Sequence, residues 1–144
     1  MKKVEWSDAL LLEYGPMDDV HRAFVALLAA AQNASDSDLP AAWLAVVQHS
    51  EAHFGREDEW MRRTRFSAAD SHMLQHRVVL NILREGLAMT RSGQHAPVRE
   101  MTQELAEWFA KHTQTLDAAL ALHMRRQPAP SRSRAGHGVQ PAPH

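Results

Sequence analysis

The sequence predicts an all-α protein: an antiparallel up-down four-helix bundle with an N-terminal arm and a disordered C-terminal tail. Three observations carry that prediction. Apolar residues recur at helical spacing in four separate runs. The links between the runs are short and marked by Pro, Gly, Ser and Asn. No stretch alternates with the period of a strand. The resulting organisation is an arm over residues 1–18, a bundle over residues 19–126 and a tail over residues 127–144.

In the arm, Trp6, Leu10, Leu11, Leu12 and Tyr14 are placed to pack on a core before Gly15-Pro16 breaks any helix. Asp18 or Asp19 then caps a first helix whose stripe is Val20, Phe24, Leu27 and Leu28, and Asn33 to Ser37 stop it. Leu39-Pro40 opens the second helix, with Pro near the first turn, and Trp43, Val46, Val47, Phe54 and Met61 carry it to about Thr64. A link around Phe66 to Ala69 leads to Asp70 as the cap of the third helix. Leu74, Val78, Leu80 and Leu83 form its stripe, and Ser92-Gly93 ends it. Pro97 opens the fourth, with Met101, Leu105, Trp108, Phe109, Leu116, Leu120 and Leu122 buried. From Gln127 onward Pro, Ser, Arg, Gly, Ala and His follow without periodicity.

Composition excludes several classes of function. The chain has 144 residues, one domain's worth, of which 44% are hydrophobic and 23% charged. A formal net charge of -1 gives no electrostatic case for nucleic acid or an anionic membrane as partner. The absence of cysteine removes disulfides, thiolate zinc sites and iron–sulfur clusters. The only apolar run near the N-terminus, Ala9 to Leu12, is too short for a signal-peptide core, and nothing approaches a membrane span. The expected location is cytoplasmic.

Ten histidines are the anomaly. His53 and Glu57 stand one helical turn apart on the second helix, a spacing that suits either a surface hydrogen bond or one shared metal. The rest of the chain favours the metal. His21 joins the apolar face of the first helix, His72 and His76 that of the third, and His112 and Asp117 that of the fourth. Five imidazoles and two carboxylates on four facing stripes would be a costly core without a cation. If Glu57 and Asp117 each bridge two metals, with a solvent oxygen as a third bridge, two octahedral ions need six terminal ligands. The five imidazoles leave one position open. Two divalent ions against two carboxylates and a hydroxide leave the core nearly neutral. Imidazole suits iron, copper, nickel and zinc, and a bridged pair with one vacancy suggests iron handling a diatomic ligand. Ferritin-like enzymes use Glu-x-x-His pairs on the same architecture, and this chain has none.

These residues bring the chain close to a known family. Trp6, Met17-Asp18-Asp19-Val20-His21, His53-Phe54-Gly55-Arg56-Glu57 with Met61, His72-x-x-x-His76, and Trp108-Phe109-Ala110-Lys111-His112 with Asp117 resemble the bacterial hemerythrins over residues 5–124. The resemblance implies a non-haem di-iron centre with a bridging oxo or hydroxo group. It assigns His72, His76 and His112 to one iron and His21 and His53 to the other, with Glu57 and Asp117 bridging and the vacancy on the second iron. Its implied function is reversible binding of dioxygen, for storage, delivery or scavenging, with no enzymatic activity. A sensor of oxygen or nitric oxide, and a reductase of nitric oxide or peroxide, are the alternatives. Dioxygen is the expected partner, together with an unidentified protein partner or reductant.

Some positions depart from the family pattern without removing a ligand. Phe66-Ser67 stands where Tyr-Pro is common, and Asp58 replaces the second acid of Glu-Glu. Thr113 follows His112 where a branched apolar residue is usual, and Phe109 takes the place of a Leu beside the oxygen pocket. His49, where Tyr is frequent, reads as a hydrogen-bond donor or proton relay behind the site, or as a structural histidine. His95 is expected in a loop, and His123, His137 and His144 at or beyond the end of the bundle. On an ideal helix the five-residue step from His112 to Asp117 turns about 500°, leaving the side chains roughly 140° apart. The fourth helix is therefore expected to carry a π-turn between them.

Overall fold

The computed structural model describes residues 1–128; the expected tail, apart from Gln127 and Pro128, lies outside the described residues. Four long helical rods follow one another: α1 (Gly15–Asn33), α2 (Leu39–Arg63), α3 (Ala69–Arg91) and a fourth made of α4 (His95–His112), a π-turn (Thr113–Asp117) and α5 (Ala118–Arg125). α1 packs on α2 and α4, and α3 packs on α2 and α4, so the rods form a square with neighbours in chain order. No strand occurs among the described residues, and no helix is long and apolar enough to cross a membrane.

Helix starts differ from expectation in three places. α1 begins at Gly15, with Pro16 in its first turn, where a ring without an N–H costs nothing. Asp18 therefore sits inside the helix. Its carboxylate turns back and accepts from the backbone N–H of Leu12 (2.8 Å) and Tyr14 (3.1 Å), pinning the entering chain. α4 likewise begins at His95, upstream of Pro97, so His95 belongs to a helix and not a loop. It lies 3.7 Å from Asp36 and takes no part in the interior cluster. α2 opens with Pro40 in its first turn, as expected, whereas Ala68 and not Asp70 holds the cap position of α3; Asp70 falls inside the first turn, where its charge favours the helix N-terminus.

The arm runs back along α1. Gln32 near the end of α1 accepts from Val4 N–H at 2.8 Å and donates to the Lys2 carbonyl at 2.7 Å, while Arg125 donates to the Leu12 carbonyl at the other end. Val4 and Leu10 are buried by this, whereas Leu11 is exposed.

Two of the expected stripes are displaced. On α3 the interior line is His72, His76, Val79, Leu83 and Leu87; Leu74 and Val78 point to solvent. Leu122 is exposed too, and Leu120, Ala121 and Met124 are the residues of α5 that pack inward. The core has two apolar clusters. The larger contains Phe24, Trp43, Val46, Phe54, Leu83, Leu105 and Phe109; the smaller contains Met17, Trp60, Met61, Leu120 and Met124. His21 lies between Met17 and Phe24 in sequence, Glu57 between Phe54 and Trp60, and His112 and Asp117 between Phe109 and Leu120. The polar residues thus form a layer between the clusters.

Candidate metal centre

The inward line of each rod determines what reaches this layer. α1 contributes His21, α2 contributes His53 and Glu57 one turn apart, and α3 contributes His72 and His76 one turn apart. The fourth rod contributes His112 and Asp117, and the π-turn Thr113–Asp117 is the distortion that five-residue step requires. All seven side chains are buried. They form two groups able to hold a cation, Glu57-His72-His76-His112-Asp117 and His21-His53-Glu57.

The two carboxylates divide their oxygens between the histidines. Glu57 Oε2 lies 2.6 Å from His53 Nε2 and 3.8 Å from His21 Nε2, while Glu57 Oε1 lies 3.3 Å from His76 Nε2 and 3.5 Å from His72 Nε2. Asp117 repeats the division. Its Oδ2 faces His21 Nε2 at 3.3 Å, and its Oδ1 faces His72 Nε2 at 3.0 Å and His112 Nε2 at 3.1 Å. Two oxygens therefore look toward His21 and His53, and two toward His72, His76 and His112.

Many of these atoms are close without being hydrogen-bonded. Nε2 of His21 and of His76, Oε1 of Glu57 and both oxygens of Asp117 are buried with no hydrogen-bond partner among the described residues. Buried polar atoms ordinarily find partners, because desolvating them uncompensated costs about 1–3 kcal/mol each. Nitrogen and oxygen donors that converge in this way, with no sulfur, fit divalent first-row cations.

Electrostatics describe the same cluster in its metal-free form. Burial opposes charge on His21 and His72, yet the Asp117 and Glu57 carboxylates beside them raise both pKa values to about 9. His76 is raised as well: burial works against its charge, and Asp58 and Glu57 outweigh it. Glu57 and Asp117 are held well below the usual carboxylate range, since the surrounding imidazoles outweigh their desolvation.

The rings are also held from behind. His76 Nδ1 donates to Asp58 Oδ1 at 2.8 Å and His112 Nδ1 donates to Gln75 Oε1 at 3.0 Å, which leaves each Nε2 lone pair directed inward. Phe54 stacks flat on His76, with centroids 4.1 Å apart and planes at 4°, and Trp108 stacks on His112 at 4.6 Å. Phe109 meets His21 edge-on at 5.1 Å. Sequence reasoning missed the roles of Asp58 and Gln75. Asp58 had a signal, an acid beside Glu57, but its partner lies on another helix; Gln75 had none. His49 has a structural role: its Nε2 donates to the Val20 carbonyl at 3.0 Å, tying α2 to α1, and burial lowers its pKa against the opposing pull of that bond. His123 bonds to Thr64 at the end of the bundle, outside the cluster. His137 and His144 lie outside the described residues.

A helical bundle that gathers five imidazoles and two shared carboxylates between apolar clusters defines a class, the bundles that hold metal cations in their cores. The family model of the hemerythrin HHE cation binding domain matches residues 14–121. The chain is also 33% identical over 135 residues to a bacteriohemerythrin of Ralstonia nicotianae, covering 94% of this chain and 98% of that one. The chain belongs to the hemerythrin family.

Proposed function

We propose that this protein binds dioxygen reversibly at a pair of iron ions and serves in the cytoplasm as a store, carrier or scavenger of the gas, not as an enzyme. His72, His76 and His112 would hold one ion and His21 and His53 the other. Glu57 and Asp117 would bridge them, with an oxo or hydroxo group as the third bridge. When bound, such a pair supplies two electrons to a diatomic ligand and takes them back on release.

One observation carries this reading: each carboxylate presents one oxygen to the two-histidine side and the other to the three-histidine side. By that division the three-histidine side has five protein donors and the two-histidine side four. An octahedral pair sharing one further bridge is then complete at the first and one short at the second, which is where a ligand would enter. The chain contributes the rest. Neutral imidazoles keep the charge of the cluster low, and the apolar clusters above and below exclude water. Asp58 and Gln75 hold two rings in the tautomer that presents Nε2.

The deciding experiment is metal analysis of the purified protein combined with its visible spectrum through cycles of oxygen removal and return. Two irons per chain, with a charge-transfer band that bleaches and recovers, are the expected result. Steady consumption of nitric oxide or peroxide with a reductant would favour a reductase. Zinc in the site, or no metal, would end both readings.

A further inference from the structure

Thr113 stands apart from the other threonines of the chain. Thr64, Thr90, Thr102 and Thr115 each donate their hydroxyl to a carbonyl three or four residues earlier, those of Trp60, Leu87, Arg99 and Lys111 respectively. That is the ordinary resting place of a helical threonine. Thr113 is fully buried and its Oγ1 has no hydrogen-bond partner among the described residues. Such a hydroxyl costs stability unless something else accepts from it.

Its position indicates what that acceptor would be. Thr113 opens the π-turn immediately after His112, and its N–H still reaches back to the Phe109 carbonyl, so the turn from 109 to 113 is α-helical and the two side chains share a face. Phe109 uses that face to pack against His21 and, at 4.6 Å, against Phe24. The Thr113 hydroxyl therefore belongs to the wall of the cluster on the His21 side, the side with fewer donors. Phe109, Phe24 and His21 pack together along that face.

We propose that Thr113 is a positioning residue for the exogenous ligand, donating its hydroxyl proton to an acceptor atom of a small ligand held at the two-histidine side. The ligand class is a diatomic or triatomic species with an oxygen or nitrogen lone pair, such as dioxygen or azide. This rests on the reading of the site as a di-iron centre with its open position beside His21 and His53. The hydroxyl discriminates in favour of ligands that accept a hydrogen bond and against carbon monoxide, whose bound end accepts poorly.

The test uses the full-length iron-loaded protein, Thr113→Val and Thr113→Ser, with azide as the probe. Iron content is measured first. If the wild type does not hold two irons, the di-iron reading fails, and Thr113 with it. If all three proteins load equally, Thr113→Val should weaken azide binding on the order of tenfold while Thr113→Ser stays within about twofold of wild type. Equal azide affinity across the three overturns the role of Thr113 and leaves the di-iron reading standing. A second readout needs no metal. Thermal melting of the metal-free forms should show Thr113→Val as stable as wild type or more so, because it replaces an unpartnered hydroxyl by an apolar group of the same shape. A clear loss of stability would mean that the hydroxyl is held by the protein itself, and would overturn the proposal.

Discussion

Asp58 Oδ1 lies 2.8 Å from His76 Nδ1 across the gap between α2 and α3, so the residue next to Glu57 braces a histidine that Glu57 itself faces. One turn of α2 thus addresses both edges of the same imidazole. The hydrogen bond fixes the Nδ1–H tautomer and aims Nε2 at the cluster. Asp58→Ala should lower metal affinity about 10- to 100-fold, and Asp58→Asn, which keeps an acceptor oxygen, should lower it less. Competition against a chelator of known affinity measures both. Unchanged affinity in Asp58→Ala would show that stacking on Phe54 alone orients the ring.

The brace also marks the limit of what the sequence reveals. His21, His53, Glu57, His72, His76, His112 and Asp117 were legible because each falls on a helical stripe, and the π-turn was legible because a five-residue step cannot close on a regular helix. Asp58 and Gln75 were not, since their partners sit on other helices and no spacing within one element encodes them. Leu74 and Val78 misled for a related reason. On α3 the histidine line occupies the interior, which leaves the parallel apolar line at 74 and 78 facing solvent, and hydrophobic periodicity cannot say which of two lines turns inward. Gly15-Pro16 read as a break because both residues end helices, whereas within a first turn both are tolerated.

The position of each histidine separates those that reach the interior cluster from those that do not. Glu57 faces histidines of three helices, so Glu57→Ala should abolish two-iron loading, and His53→Ala should do so by removing one of the two imidazoles on its side. His95, at the start of α4, pairs with Asp36 alone among the described residues, and His95→Ala should leave iron content and spectrum at wild-type values. Iron stoichiometry and absorbance read all three. Equal losses in the three variants would refute the assignment.

Metal loading should release protons. His21 and His72 titrate near pH 9 in the metal-free protein, above the ordinary imidazole value of 6.5, so at pH 7 both carry protons that a cation must displace. Glu57 and Asp117 are already ionised and release none. Apparent metal affinity should therefore rise with pH between about 6.5 and 9, by roughly tenfold per unit for each proton released, and level off above. For the metal-free fold the sign is opposite. A raised histidine pKa contributes stability that is complete below about 6.5 and lost as pH rises through about 9, so the metal-free protein should melt earlier at pH 9.5 than at pH 7. Chelator competition across pH and melting of the metal-free protein test the two halves. A pH-independent affinity over this range would show that the histidines are neutral before metal arrives.

Two helical glycines should respond to alanine with opposite signs. A Cβ on Gly86 would stand 2.7 Å from Cζ2 and 2.8 Å from Cε2 of Trp43, closer than carbon atoms can approach. Trp43 cannot retreat. It is fully buried, and its indole N–H donates to the Leu83 carbonyl at 2.7 Å, one turn before Gly86 on the same helix. Gly86 is thus the gap that lets α2 and α3 close around an indole. Overpacking of this kind costs about 1–3 kcal/mol, which exceeds the ~1 kcal/mol that alanine gains over glycine in a helix. Gly86→Ala should therefore lower the unfolding free energy in urea. Gly55, on the exposed face of α2 between His53 and Glu57, would place its Cβ with nothing within 4 Å. There the backbone term acts alone, and Gly55→Ala should raise stability by up to about 1 kcal/mol without altering iron content. The same sign in both variants would mean that helix propensity, and not the contact with Trp43, governs position 86.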